Sequence, residues 1–293
     1  MARAERQDYN RVLTRYALER LLYRIGVSPY ADQFLLKGAL LFDLWFGLVP
    51  RPTRDADLLG LGPSDRSYLE EVFRNLCNVR APDGMTFDAD SVRVVEIREQ
   101  ANYPGARVTM HAYLDTAEIG VQVDVGFGDA VTPGPETATY PVLLQNAAAP
   151  ILRVYPKYTV VAEKLETIAS LGIANSRLKD HFDPHMLATS FDFDGPVLVA
   201  GLRATFERRR TPLPAGLPLG LTAAFSEDQS KQSQWSAFLN RNRLRPLSLQ
   251  DVVTSLVVFL GPVLEATRAD SPMLYHWSPG GPWQTPVLGS PTG

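Results

Sequence analysis

The sequence predicts an α+β fold, with strands and helices mixed up to about residue 150 and mainly helices from there to residue 293. Three observations support this. Residues 3–25 place Tyr9, Val12, Leu13, Tyr16, Leu18, Leu21, Leu22 and Ile25 at spacings of three and four, the period of an amphipathic helix. Between residues 33 and 125, short apolar or alternating runs bounded by Gly and Pro have the period of strands. Beyond about residue 195 the pattern is helical, with Gly and Pro between segments.

In order along the chain, Gly26 supplies a stop for the first helix. Gln33 to Lys37 reads as a short apolar strand, Gly38 as a tight turn, and Ala39 to Phe46 as a helix packed on the sheet. The prolines of Val49 to Thr53 stiffen the lead into a second strand, Arg54 to Leu59. Leu69 to Leu76 reads as a helix with Glu70, Glu71 and Arg74 on its wet side. Ser91 to Glu99, Arg107 to Leu114 and Ile119 to Val125 read as strands, with a turn at Asn102 to Gly105. After a Gly/Pro/Thr loop and a short apolar segment near 141–144, Thr159 to Leu171 is expected to be a helix ended by Gly172. Arg177 to Asp183 heads another helix, Pro212 to Gly220 is a loop, Asp251 to Ala266 is a strong helix, and the Gly- and Pro-rich tail from Ser271 reads as irregular.

The bulk properties exclude several classes. A formal net charge of -3 rules out a uniformly basic nucleic-acid coat, so any contact with nucleic acid must come from local patches. One cysteine, Cys77, allows no internal disulfide, and no Cys/His cluster has zinc spacing. The charged start is unlike a signal peptide, and no apolar run is long enough to span a bilayer. A cytoplasmic protein with no membrane partner is expected.

The chemistry centres on Asp55-Ala56-Asp57. In a strand these aspartates project from one face, and two like charges there repel unless a divalent cation lies between them. Asp124, set among Val121, Val123 and Val125, is costly to bury and is explained if it faces the same cation. A glycine turn lets backbone approach a triphosphate, and Gly38 precedes the aspartates. Such a layout suits metal-dependent nucleotidyl transfer, in which Mg2+ held by Asp55, Asp57 and Asp124 clamps the nucleotide and stabilises leaving pyrophosphate. A lysine near the phosphates is also wanted, and Lys37 and Lys164 are the candidates. Lys164 lies with Val161 and Ile168 on one stripe, a position equally open to a snorkelling lysine.

These blocks carry a resemblance. Leu36-Lys37-Gly38-Ala39, Arg51 to Leu58, Val123 to Gly126 with Gly128-Asp129, Val161 to Leu165, and Arg177 to Asp180 look like successive motifs of the AbiEii family of nucleotidyltransferase toxins, which includes the mycobacterial MenT toxins. The resemblance covers about residues 15–190. It implies a DNA polymerase beta-like mixed sheet flanked by helices over residues 1–150, and a mainly helical part over 151–293 that completes the nucleotide cleft. It further implies a toxin of a toxin–antitoxin system that uses an NTP, often a pyrimidine, releases pyrophosphate, and adds the nucleotide to the 3′ acceptor end of tRNA, with an AbiEi-like antitoxin as partner. By motif position Asp55 and Asp57 would be metal ligands, Lys164 would bind the triphosphate, and Asp180 would be the acidic residue of the final motif, a catalytic or structural partner to Lys164. Thr53 would line the nucleotide site, where a related toxin is inactivated by phosphorylation. Ala39 departs from the family, in which a small polar residue or glycine is frequent.

Two basic clusters, Glu207-Arg208-Arg209-Arg210 and Arg241-Asn242-Arg243-Leu244-Arg245, are solvated helix ends or hold an acceptor stem through its phosphates. His181, beside Asp180, is read as structural. Transfer to a protein or a small molecule keeps the same fold. A non-catalytic module that binds RNA or antitoxin is the rival of another class.

Overall fold

The computed structural model describes residues 9–47, 53–99 and 103–285. Expectations for residues 3–8, for Val49 to Pro52 with Arg51, and for the Asn102 turn position lie outside the described residues. The chain divides into two units, Met1–Asp129 with Pro135–Tyr155, and Ala130–Gly134 with Pro156–Gly293. Residues 130–134 join the second unit through Thr132, whose backbone N–H and carbonyl each bond the Thr159 hydroxyl at 3.0 Å.

The first unit runs α1 (Tyr9–Gly26), β1 (Phe34–Lys37), α2 (Leu40–Phe46), β2 (Asp55–Gly60), α3 (Arg66–Cys77), β3 (Met85–Glu99), β4 (Tyr103–Leu114), β5 (Ala117–Phe127), β6 (Glu136–Thr139) and β7 (Ile151–Val154). Its strands form one sheet in the order β3-β4-β5-β2-β1-β7-β6. The sheet is mixed: β2 with β5 and β1 with β7 are parallel, and the remaining pairs are antiparallel. Helix α1 packs against β5 and β7, and α3 against β3 and β4.

Burial on β5 follows the expected alternation as far as Val123, with Val121, Val123 and Val125 enclosed on one face, and Asp124 and Gly126 on the other are buried too. Each such valine contributes about 1.5–3 kcal/mol by leaving water. Helix α1 is less simply amphipathic than its spacing suggests, because Glu19, Arg20 and Arg24 are also buried. Arg24 grips Asp83 at 2.7 and 3.2 Å and the Met85 carbonyl at 2.9 Å, which fastens the start of β3. That anchor starts β3 six residues before the expected Ser91. Of the turn expected at Asn102 to Gly105, the residues from Tyr103 to Gly105 lie in β4, with Tyr103 paired to Glu99. β6 and β7 were not foreseen, being four residues each and without an alternating signal.

The second unit contains α4 (Lys157–Leu171), α5 (Lys179–Ser190), β8 (Phe193–Asp194), α6 (Gly195–Arg209), α7 (Ala223–Ser226), α8 (Gln229–Asn242), α9 (Leu249–Arg268), β9 (His276–Trp277) and β10 (Trp283–Gln284). Gly172, at φ 50°, closes α4 as expected. Helix α9 corrects the expectation on apolar runs: by length and composition it could cross a membrane. Its Val252, Leu256, Phe259, Leu260 and Val263 are fully enclosed in this unit, where it packs on α5 and α6. A core helix accounts for that composition.

The tail is not irregular throughout. β8, β9 and β10 form a small antiparallel sheet in the order β10-β9-β8. Trp277 and Trp283 seat it on α9, with ring centres 4.8 and 5.7 Å from Phe259. Two tryptophans in a Gly/Pro-rich stretch were the available signal.

Candidate active site

In the first unit the predicted residues fall on one line across the sheet. Lys37 is opposite Asp57 in the β1–β2 pair, Asp57 opposite Asp124 in the β2–β5 pair, and Asp124 opposite Arg107 in the β5–β4 pair. Residues in register share a face, so a lysine, two aspartates and an arginine form one row over four strands. Asp55 stands two residues along β2 on the same face, beside Gln122.

Local geometry explains why each side chain is where it is. Gly38, at φ 71°, turns the chain directly after Lys37, and a Cβ there would overlap the Asp57 carboxylate. Only glycine fits both the backbone and the neighbour. The Thr53 hydroxyl lies 2.5 Å from Asp55 Oδ1 and 3.1 Å from the Asp55 carbonyl, so it orients the first aspartate. Lys37 is buried, its Nζ 2.9 Å from Asp129 Oδ2 and 5.5 Å from the centre of the Tyr155 ring. The sequence suggested a lysine reaching for phosphate; here the ammonium sits on a carboxylate.

Asp124 also has a partner that was not foreseen. Arg107 Nε lies 2.8 Å from its Oδ1 and Nη2 lies 2.8 Å from its Oδ2, a two-pronged pair, while Gln122 Nε2 is 3.3 Å from Oδ1. The bond to Asp124 raises the Arg107 pKa; slight burial opposes this, and the charges of Asp124, Asp55 and Asp57 reinforce it. Arg107 was legible in principle. The turn at Asp115 and Thr116, with Asp115 at φ 53°, pairs Leu114 with Ala117, and counting back along the hairpin brings Arg107 opposite Asp124.

Asp55, Asp57 and Asp124 offer the hard oxygen donors that a divalent cation takes. Among the described residues, however, no three His, Cys, Asp or Glu side chains are grouped to hold a metal as they stand. The two β2 aspartates and Asp124 supply the donor type such an ion takes, with Asp124 already held by the Arg107 fork.

The second unit carries its own charged group. Lys164 on α4 donates to Asp180 Oδ1 at 2.8 Å, and its Nζ is 3.8 Å from Asp183 Oδ2. The apolar stripe therefore delivers the lysine to an internal carboxylate, not to solvent. Asp180 is fully buried in the first turn of α5, where a helix N-terminus favours an anion. Burial pushes its pKa up, but the charges of Lys164 and Arg177, the Lys164 hydrogen bond and Lys179 together hold it below the usual carboxylate value. Asn175, unnoticed in the sequence, bridges the group: its Oδ1 accepts from Arg177 N at 2.8 Å, its Nδ2 is 3.5 Å from Asp180 Oδ2, and its carbonyl accepts from buried Lys231 at 2.9 Å. His181 is buried, stacked on Phe225 with ring centres 4.6 Å apart, and its Nε2 lies 2.8 Å from the Gly220 carbonyl oxygen. Of the basic clusters, Arg209 turns inward to Glu166 at 2.8 Å and Glu163 at 3.4 Å. Arg241, Arg243 and Arg245 are exposed.

The sequence model of one family, described as nucleotidyl transferase AbiEii toxin of a type IV toxin–antitoxin system, matches residues 20–255. The chain belongs to the AbiEii family. Membership makes it a nucleotidyltransferase and implies a nucleotide substrate and an antitoxin partner. Two solved structures from Helicobacter pylori are similar to this AbiEii protein in fold. JHP933 is 14% identical, with a TM-score of 0.50 over 90% of this chain and 94% of its own. A candidate nucleotidyltransferase is 14% identical, with a TM-score of 0.51 over 91% of this chain and 100% of its own. No curated protein matches the chain.

Proposed function

We propose that this protein is a Mg2+-dependent toxin that transfers a nucleoside monophosphate, from a pyrimidine NTP, to the 3′ acceptor end of tRNA and so blocks translation. The observation that carries this reading is the juxtaposition of Asp55, Asp57 and Asp124 on one sheet face beside the Gly38 turn, in a chain of a nucleotidyltransferase family.

In the reaction the 3′ oxygen of the acceptor forms a bond to the α-phosphorus, the bond from that phosphorus to the α–β bridging oxygen breaks, pyrophosphate leaves, and the hydroxyl proton passes to solvent. Asp55 and Asp57 would hold the cation, with Asp124 as a third donor. Mg2+, when bound, supplies the charge that offsets the triphosphate and lowers the pKa of the acceptor hydroxyl. Gly38 keeps side chains away from the backbone that meets the phosphates, and Thr53 holds Asp55 in its orientation. Lys164, poised by Asp180, binds the triphosphate. Arg241, Arg243 and Arg245 provide phosphate contacts for the tRNA without base specificity.

The test is incubation of the purified protein with tRNA, Mg2+ and each labelled NTP in turn. Label on the tRNA 3′ end, strongest with CTP or UTP, is expected. No transfer with any nucleotide, or equal transfer by an Asp55→Ala, Asp57→Ala double variant, would overturn the proposal.

A further inference from the structure

Across β4, β5, β2 and β1 the row reads Arg107, Asp124, Asp57, Lys37, two cations flanking two adjacent anions. Neighbouring strands of a sheet lie about 4.8 Å apart, and two carboxylates in register across them repel. Each anion therefore needs a counter-charge on a cation-free sheet. Asp57 has Lys37 as its register neighbour, and Asp124 has both its oxygens filled by the Arg107 fork. The two ends of the row differ in burial. The Lys37 side chain is 10% exposed and closed in by Asp129 and Tyr155, whereas the Arg107 side chain is 40% exposed. A group that must leave can do so only at the open end.

We infer that Arg107 is the resident counter-ion of Asp124 and is exchanged for a divalent cation when the site fills. It thereby acts as a positioning residue that controls when the third carboxylate becomes available. The two-pronged geometry occupies both oxygens of Asp124, so a cation that takes this carboxylate competes with the guanidinium. The inference rests on the proposed cation site but not on the identity of the acceptor.

The experiment measures Mn2+ binding by the intact protein without nucleotide or tRNA, using the electron paramagnetic resonance signal of free Mn2+. Arg107→Met should tighten binding by about tenfold, the size expected when a directly competing partner is removed. Arg93→Met removes the same charge from the same face of the neighbouring strand, opposite Thr109, and should change binding by about twofold or less. In an Asp124→Asn background the Arg107→Met effect should vanish. Arg107→Gln, which keeps a polar end on the sheet, should reproduce the tightening and serves if the Met variant misfolds. Equal effects of the Arg107 and Arg93 variants, or an Arg107 effect that persists without the Asp124 charge, would overturn the inference. Unchanged Mn2+ binding in an Asp55→Asn, Asp57→Asn variant would instead remove the cation site itself, and the inference with it.

Discussion

Lys164 Nζ lies 2.8 Å from Oδ1 of Asp180, and the aspartate has no exposed surface. A carboxylate so enclosed depends on its partner. Lys164→Met is expected to cost about 3–5 kcal/mol, measured by urea unfolding, because it strands a buried charge. A Lys164→Met, Asp180→Leu double variant should recover most of that stability without restoring label transfer. Stability that stays low in the double variant would show that the cost arises from packing and not from the stranded charge.

The same pair sets an acid limit. The folded-state pKa of Asp180 is depressed below its ordinary 3.8, so its contribution is present above that value and is lost as pH falls through the lower folded value. The stability difference between wild type and Asp180→Asn should be level at neutral pH and shrink only below about pH 4. A difference that shrinks between pH 6 and pH 8 would point to another group.

The β2 carboxylates should show the opposite balance of stability and function. Asp55→Asn removes one of three like charges on a sheet face, so its unfolding free energy should stay within about 1 kcal/mol of wild type. Its turnover of labelled NTP should fall by about a hundredfold or more if it holds the cation. Melting temperature and label transfer measured on one preparation decide the matter, and unaltered transfer would remove Asp55 from the site.

Gly38→Ala tests the turn. Its φ of 71° costs a side-chain-bearing residue about 1–2 kcal/mol, and the new methyl must also displace the Asp57 carboxylate. Gly47 also has φ 71°, at ψ 171° in a region nearly confined to glycine, with nothing within 4 Å of a Cβ, so Gly47→Ala sets an upper bound on the backbone cost alone. The excess loss of stability and of activity in Gly38→Ala over Gly47→Ala measures the contact with Asp57. Equal losses would make the turn a backbone requirement only.

What was legible in the sequence follows from the range of each signal. Asp55, Asp57 and Asp124 sit in strands with clear alternation, so their shared face could be read from period two and strand order. Lys164 was ambiguous from its own helix, which says nothing about the helix opposite; the motif resemblance named Asp180 as its partner, and the 2.8 Å contact pairs them. The pairing of Arg107 with Asp124 and of Lys37 with Asp129 was not read from the sequence for a related reason: a strand shows which way a side chain points, while its ion pair depends on neighbouring segments. The small sheet of β8, β9 and β10 was hidden because two-residue strands carry no period. Its order comes from Trp277 packing at a tilt against Phe259 and Trp283 stacking on it, contacts across more than fifteen residues of chain.

Thr53 combines a structural contact with the regulation suggested by the family resemblance. Its hydroxyl sits 2.5 Å from Asp55 Oδ1, so a phosphate on that oxygen would remove the donor and put roughly two negative charges beside the carboxylates. Both effects oppose an incoming triphosphate. Thr53→Val, which removes only the hydrogen bond, should lower turnover by about tenfold through misoriented Asp55, with little change in the KM for NTP. Thr53→Glu adds charge and should also raise that KM, and added salt should relieve part of the increase because screening weakens the repulsion. A Thr53→Glu variant with wild-type turnover and KM would show that position 53 does not communicate with the nucleotide, whatever modifies it. Equal KM values for the Val and Glu variants would reduce its role to holding Asp55 in place.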